Sequence, residues 1–190
     1  MSADADYARV VATMRHALPA YVAYIQSARV RGMGAVESTS RIVLRTADKK
    51  VVHGGEPGVV NIDAEVFDPE CYRPTGEETT SRDGRTVVSF TLAPTCRAAG
   101  KDPFTTLYAD PVTMRPTEVT GTRESERVRV SVEEKFSTVR DWSVPASFKV
   151  DIEGSGIVFW LQIHALKTFS DYRFYASDPG PGVSAPPHGE

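Results

Sequence analysis

Residues 127–136, RVRVSVEEKF, alternate with a period of two. Val128, Val130, Val132 and Phe136 share one parity, and Arg127, Arg129, Ser131, Glu133 and Lys135 share the other. That pattern specifies a strand with one wet face and one buried face. Phe148, Val150 and Ile152 then alternate with Lys149, Asp151 and Glu153 in a second strand, and Gly154-Ser155-Gly156 reads as a turn. Segments 157–166 and 169–175 read as a third and a fourth strand. Strands this close in sequence pair antiparallel, because a parallel crossover needs roughly a dozen further residues. The organising unit is a β-meander.

The third strand differs from its neighbours: in Ile157-Val158-Phe159-Trp160-Leu161 both parities are apolar. Burying one such side chain stabilises by roughly 1.5–3 kcal/mol, so both faces call for cover. Ile157, Phe159, Leu161 and Ile163 form the more uniformly apolar set and are assigned to the interior, with Val130, Val132, Phe148, Val150 and Ile152. The other long apolar element is N-terminal. From Tyr7 to about Gln26, Val10, Val11, Met14, Leu18, Tyr21, Val22 and Ile25 recur at helical spacing, with Asp4 or Asp6 as cap and a kink expected at Pro19. Met14, Leu18, Tyr21 and Ile25 are expected to face the sheet. Either the helix simply packs there, or helix and sheet enclose an apolar ligand cavity.

The 190 residues fit one domain over 1–175. The tail 176–190, rich in proline and glycine, has too little apolar surface to offset chain entropy and is expected to be disordered. A net charge of −3 with interleaved signs argues against a nucleic-acid partner. No run approaches the length of a membrane span. The first residues, MSADADYARV, are not a signal peptide, which taken literally says cytoplasm, although they equally suit a start placed on a mature, exported chain. Cys71 and Cys96 are the two cysteines, readable as a disulfide, which favours export, or as two buried thiols.

Between helix and meander, 28–36 and 41–46 read as strands, Asp48-Lys49-Lys50 as a turn, and 54–58 as a loop. Segment 67–82 reads as a loop or short helix because of its prolines and glutamates. Asp83-Gly84 is a hairpin signal before a strand over 85–93. Strands at 104–109 and 114–123 flank the Asp110-Pro111 turn. The whole is α+β, mainly β, with about eight to eleven antiparallel strands in one sheet.

Three motifs fall in order: Asp83-Gly84-Arg85 through Leu92-Ala93-Pro94, then Leu107-Tyr108-Ala109-Asp110-Pro111 through Arg115-Pro116, then Ser143-Val144-Pro145. Over about 80–175 this resembles the periplasmic lipoprotein-carrier (LolA/LolB-like) superfamily. The resemblance implies a strongly curved antiparallel half-barrel wrapped around an N-terminal helix, with an apolar cavity between them. It also implies a monomeric carrier or chaperone for lipid or acylated (lipoprotein) ligands in the cell envelope, with no cofactor. The chain shows no second clear helix for a lid and no arginine suited to closing one. The alternative is therefore an envelope sensor or interaction module with a membrane-protein partner.

Catalytic patterns are not found. His16, His53, His164 and His188 lack metal-ligand spacing, and there is no G-x-S-x-G elbow. His164 is expected to be packed or hydrogen-bonded. Glu134 stands among the valines of its strand, where a carboxylate needs a partner or a raised pKa, and an Arg or Lys on a neighbouring strand is the ordinary answer.

Overall fold

The computed structural model describes residues 3–15, 18–32, 34–48, 50–54, 67–96, 104–155 and 160–184. Among them one helix, α1 (Ala3–Arg15), precedes ten strands: β1 (Tyr21–Arg31), β2 (Val36–Arg45), β3 (Lys50–Gly54), β4 (Tyr72–Arg82), β5 (Arg85–Pro94), β6 (Phe104–Ala109), β7 (Pro116–Glu124), β8 (Val128–Val139), β9 (Trp142–Ser155) and β10 (Trp160–Tyr175). They form one antiparallel sheet in the order β3-β2-β1-β10-β9-β8-β7-β6-β5-β4. Every neighbour is consecutive in sequence except β1 and β10, which join the N-terminal hairpins to the meander. The sheet is not closed. It is a curved half-barrel with α1 in its concavity, as the alternating strands and the family resemblance led one to expect.

The helix is shorter than its apolar spacing suggests. It ends at Arg15, and the residues from Tyr21 onward are strand. Pro19 lies between the two elements instead of kinking one helix: it lacks an N–H and disfavours helical backbone in the residue before it. Tyr21-Val22-Ala23-Tyr24-Ile25 is β-branched and aromatic, and pairing with both β2 and β10 makes this a central strand. Leu18 and Tyr21 are consequently not helical. Leu18 lies in the connection and is 36% exposed, and Tyr21 opens β1 opposite Tyr175 and Arg45.

Three other expectations change. Segment 72–82 is the edge strand β4 and not a loop, following a single 3-10 turn at Pro69–Cys71. Its Pro74 and Gly76 sit at a register shift opposite Leu92 and Thr91, a place where an edge strand tolerates both residues. The third and fourth meander strands are one strand, β10, bent where Asp171 has a positive φ and the pairing with β1 slips. The expected disordered tail is partly docked. A 3-10 turn at Pro181–Ser184 packs on β2 and β3, and the Asp178 carboxylate lies in hydrogen-bond contact with His53 Nε2 at 2.8 Å. Residues 185–190 lie outside the described residues.

The core sits where α1 crosses β4, β7 and β9. Val10 is fully buried, and the Tyr7 ring meets Phe90 edge-on at 5.7 Å while its hydroxyl donates to the Pro69 carbonyl at 2.9 Å. Under the helix, Phe90, Leu107, Val119, Glu134 and Phe148 are cross-strand partners in one row running from β5 to β9. The first four are fully buried. Phe67 joins this core through rings of Tyr72 and Phe104 at 5.2 and 5.4 Å. Cys71 and Cys96 form a disulfide with Cα atoms 4.8 Å apart, tying the start of β4 to the end of β5.

Candidate functional site

Cross-strand partners in an antiparallel sheet point to the same face, so register sorts the concave side into rows. Val132, Val150, Ala165, Val30 and Val36 form one row from β8 to β2. One pleat further out lie Arg123, Val130, Ile152 and Ile163, and at the rim Val128, Gly154 and Leu161. Burial falls along this direction. Val132 and Val150 are buried, Val130, Ile152, Leu161 and Ile163 are half-buried, and Val128 and Val36 are 40% and 45% exposed. Beyond the reach of α1 the concave face is therefore an open apolar shelf. Gly32 closes its β1 end: with a φ of 141° and the Gln162 carbonyl against it, any Cβ there would collide with backbone.

The residues singled out from sequence divide accordingly. Val132, Phe148 and Val150 are core, and Met14, Val130 and Ile152 pack partly buried against that core. Leu161 and Ile163 lie on the shelf, whereas Leu18 and Tyr21 lie elsewhere, as described above. Phe159 is outside the described residues. The space directly under α1 is filled by side chains of the core cluster.

Glu134 occupies an inward position in the middle of that core. One carboxylate oxygen accepts from the Phe67 N–H at 2.9 Å, and the other has no partner among the described residues. Among the described residues no Arg or Lys pairs with it. Across the strands its neighbours are Val119 and Phe148, with Lys167 one strand further, beyond Phe148. Burial pushes its pKa up to about 8, and the Phe67 N–H offsets this only in part. The group is thus mostly an uncharged acid at neutral pH, enclosed rather than presented to a substrate.

Around His164 the convex face is polar. His164 Nδ1 lies 2.6 Å from an Asp151 oxygen whose carboxylate also takes Lys149 at 2.8 Å. His164 is hydrogen-bonded, on the wet side. A depression of about 270 Å³ on the convex side is lined by hydroxyls of Thr105, Thr120, Thr122 and Ser131 with Glu133, Lys149 and Asp151. These are the outward positions of an ordinary one-side-wet sheet, with Lys149 paired to Asp151 and Glu133 to Lys135 on its own strand. Sequence parity found the apolar shelf residues but missed Arg123, the charged side chain on the shelf's own row.

The described residues thus form an open antiparallel half-barrel with a partly exposed apolar shelf on its concave face. No family model matches the chain, and no curated protein matches it either. Among solved structures it is similar to a LolA superfamily protein from Nitrosomonas europaea, at 12% identity over 98% of both chains with a TM-score of 0.49. It is also similar to a DUF1329 family protein from Desulfovibrio piger, at 9% identity over 90% of this chain and 92% of that one, again at 0.49. MucB, solved in complex with MucA(peri), matches with a TM-score of 0.23 at 12% identity over 93% of this chain and all of that one.

Proposed function

We propose that this protein is a non-enzymatic binding protein of the cell envelope that takes an acyl chain, free or as part of a lipid or lipoprotein, on the concave face. One observation carries the reading: the open apolar shelf around Val128, Leu161, Ile163 and Val36, which leaves large apolar side chains in water at one end of an otherwise well-packed core. The Cys71–Cys96 disulfide supports an oxidising compartment such as the periplasm. No helix among the described residues is long and apolar enough to cross a membrane. The chain works as a monomer without a cofactor, and Glu134 is a structural acid.

Two measurements test this. Native mass spectrometry of the purified, oxidised protein is expected to show lipid adducts that solvent extraction removes. Leu161→Trp is expected to block binding of a fluorescent fatty acid while changing stability by less than about 1 kcal/mol, since the side chain borders open space and not a close-packed site. Wild-type protein that binds no acyl ligand, with Leu161→Trp strongly destabilised, overturns the proposal.

A second reading, a sensor or interaction module, has one observation in its favour. The edge strand β4 pairs on one side only, with β5, among the described residues, and so offers a row of backbone groups to a partner strand. A pulldown that returns a membrane-protein partner and no lipid favours it.

A further inference from the structure

The shelf is not uniformly apolar, and the exception has a position. Arg123 lies opposite Val130, Val130 opposite Ile152, and Ile152 opposite Ile163, so one straight line across β7, β8, β9 and β10 runs from a guanidinium over three apolar side chains. Its neighbours in β7 and β8, Glu124 and Arg129, face each other on the convex side. Glu153, paired with Arg129, is convex too, as is the Arg29–Glu37 ion pair of β1 and β2. Among the strand residues on this end of the concave face the charge comes from Arg123, while Glu126 and Arg127 lie beyond it in the β7–β8 turn.

We propose that the shelf selects single-chain amphiphiles with an anionic head, a carboxylate or a phosphate, bound by Arg123 while the chain lies across the strands over Val130, Ile152 and Ile163. This deepens the acyl-binding reading and rests on it. The dimensions agree. Three inter-strand steps of about 4.8 Å place Ile163 ~14 Å from Arg123. One acyl layer, half of a hydrocarbon core ~30 Å thick, is about as long. A guanidinium presents paired donors that suit both carboxylate and phosphate oxygens. Arg123 already has an interaction within the chain, and the incoming head joins or displaces it. Being exposed, the pair is screened by salt, so its effect is a preference between head groups and not the bulk of the affinity.

The test uses the whole oxidised protein and displacement of a neutral naphthylamine dye by C16 ligands below their micellar concentrations. Palmitate and palmitoyl lysophosphatidate are expected to displace it about two- to fivefold more effectively than hexadecanol, an advantage that shrinks in high salt. Arg123→Gln removes the preference and leaves hexadecanol unchanged. Arg123→Glu reverses it in favour of hexadecylamine. The ratio of palmitate to lysophosphatidate tells which anion the site prefers. Equal displacement by all heads, or an anion preference that survives Arg123→Gln, overturns this inference while leaving the acyl-binding reading intact. Failure of the dye and of every chain, hexadecanol included, overturns both.

Discussion

Glu134→Gln separates the ionisation of a buried acid from everything else that titrates. In the folded protein the Glu134 pKa rises from 4.5 to about 8. The unfolded chain ionises near the ordinary value, so between these two pH values the folded state holds a proton that the unfolded state has lost. Stability therefore falls as pH rises. The contribution is fully present below about pH 4.5, drains away across the window, and is spent above about pH 8. At 1.36 kcal/mol per pH unit the loss is roughly 5 kcal/mol, a large part of the roughly 5–15 kcal/mol typical of a domain. Glutamine keeps an oxygen for the Phe67 N–H but cannot ionise. Urea denaturation of both proteins, followed by tryptophan fluorescence at pH 5, 6, 7 and 8 with the disulfide intact, reads the difference directly. Subtraction cancels the other groups, including the Asp171 and Asp48 carboxylates held low by arginine partners and Tyr24, pushed up to about 12 by burial. Wild type is expected to lose stability steadily relative to the variant. Parallel curves, within about 1 kcal/mol over the whole range, would show that Glu134 is not enclosed as described.

Other perturbations test other parts. Leu107→Ala, which empties a fully buried position under α1, is expected to cost about 2–5 kcal/mol in equilibrium unfolding, and a loss under about 1 kcal/mol would place the core elsewhere. Reducing the Cys71–Cys96 bridge, which spans 25 positions, is expected to lower stability by roughly 3–4 kcal/mol and the midpoint of thermal unfolding with it. Truncation after Tyr175 removes the turn docked on β2 and β3, and hydrogen exchange in Val51 and Val52 is expected to accelerate while the β5–β9 amides stay protected.

Where the sequence alternates cleanly, it announces its strands: β5, β8 and β9 follow from Val88-Phe90-Leu92, Val128-Val130-Val132 and Phe148-Val150-Ile152. The misreadings come from places where tertiary pairing outranks local pattern. Tyr21, Val22 and Ile25 continue the helical spacing of Val10 and Met14 by coincidence, and only two flanking strands make that stretch β. At β4, Pro74, Gly76, Glu77 and Glu78 look like a loop because an edge strand with a bulge and a solvated side needs little of what marks a central strand. The chain at 166–169 carries no turn, and β10 bends instead of reversing.

The candidate site was legible in parity but not in register. Alternation alone says that Val130, Ile152 and Ile163 look inward, yet it cannot say that they stand side by side. That follows from pairing, and a slip of two residues would keep every side chain on its face while changing every neighbour. The same limit hid Arg123. In Val119-Thr120-Gly121-Thr122-Arg123 the inward parity carries one valine, a glycine and an arginine, too weak an alternation to show which side is buried. Pairing resolves it, because Val119 opposite Glu134 and Gly121 opposite Val132 fix Arg123 opposite Val130. Gly121 also removes a side chain between the arginine and the core. A positive group thus sits at the edge of an apolar row without being buried in it, at a place where its hydration is kept.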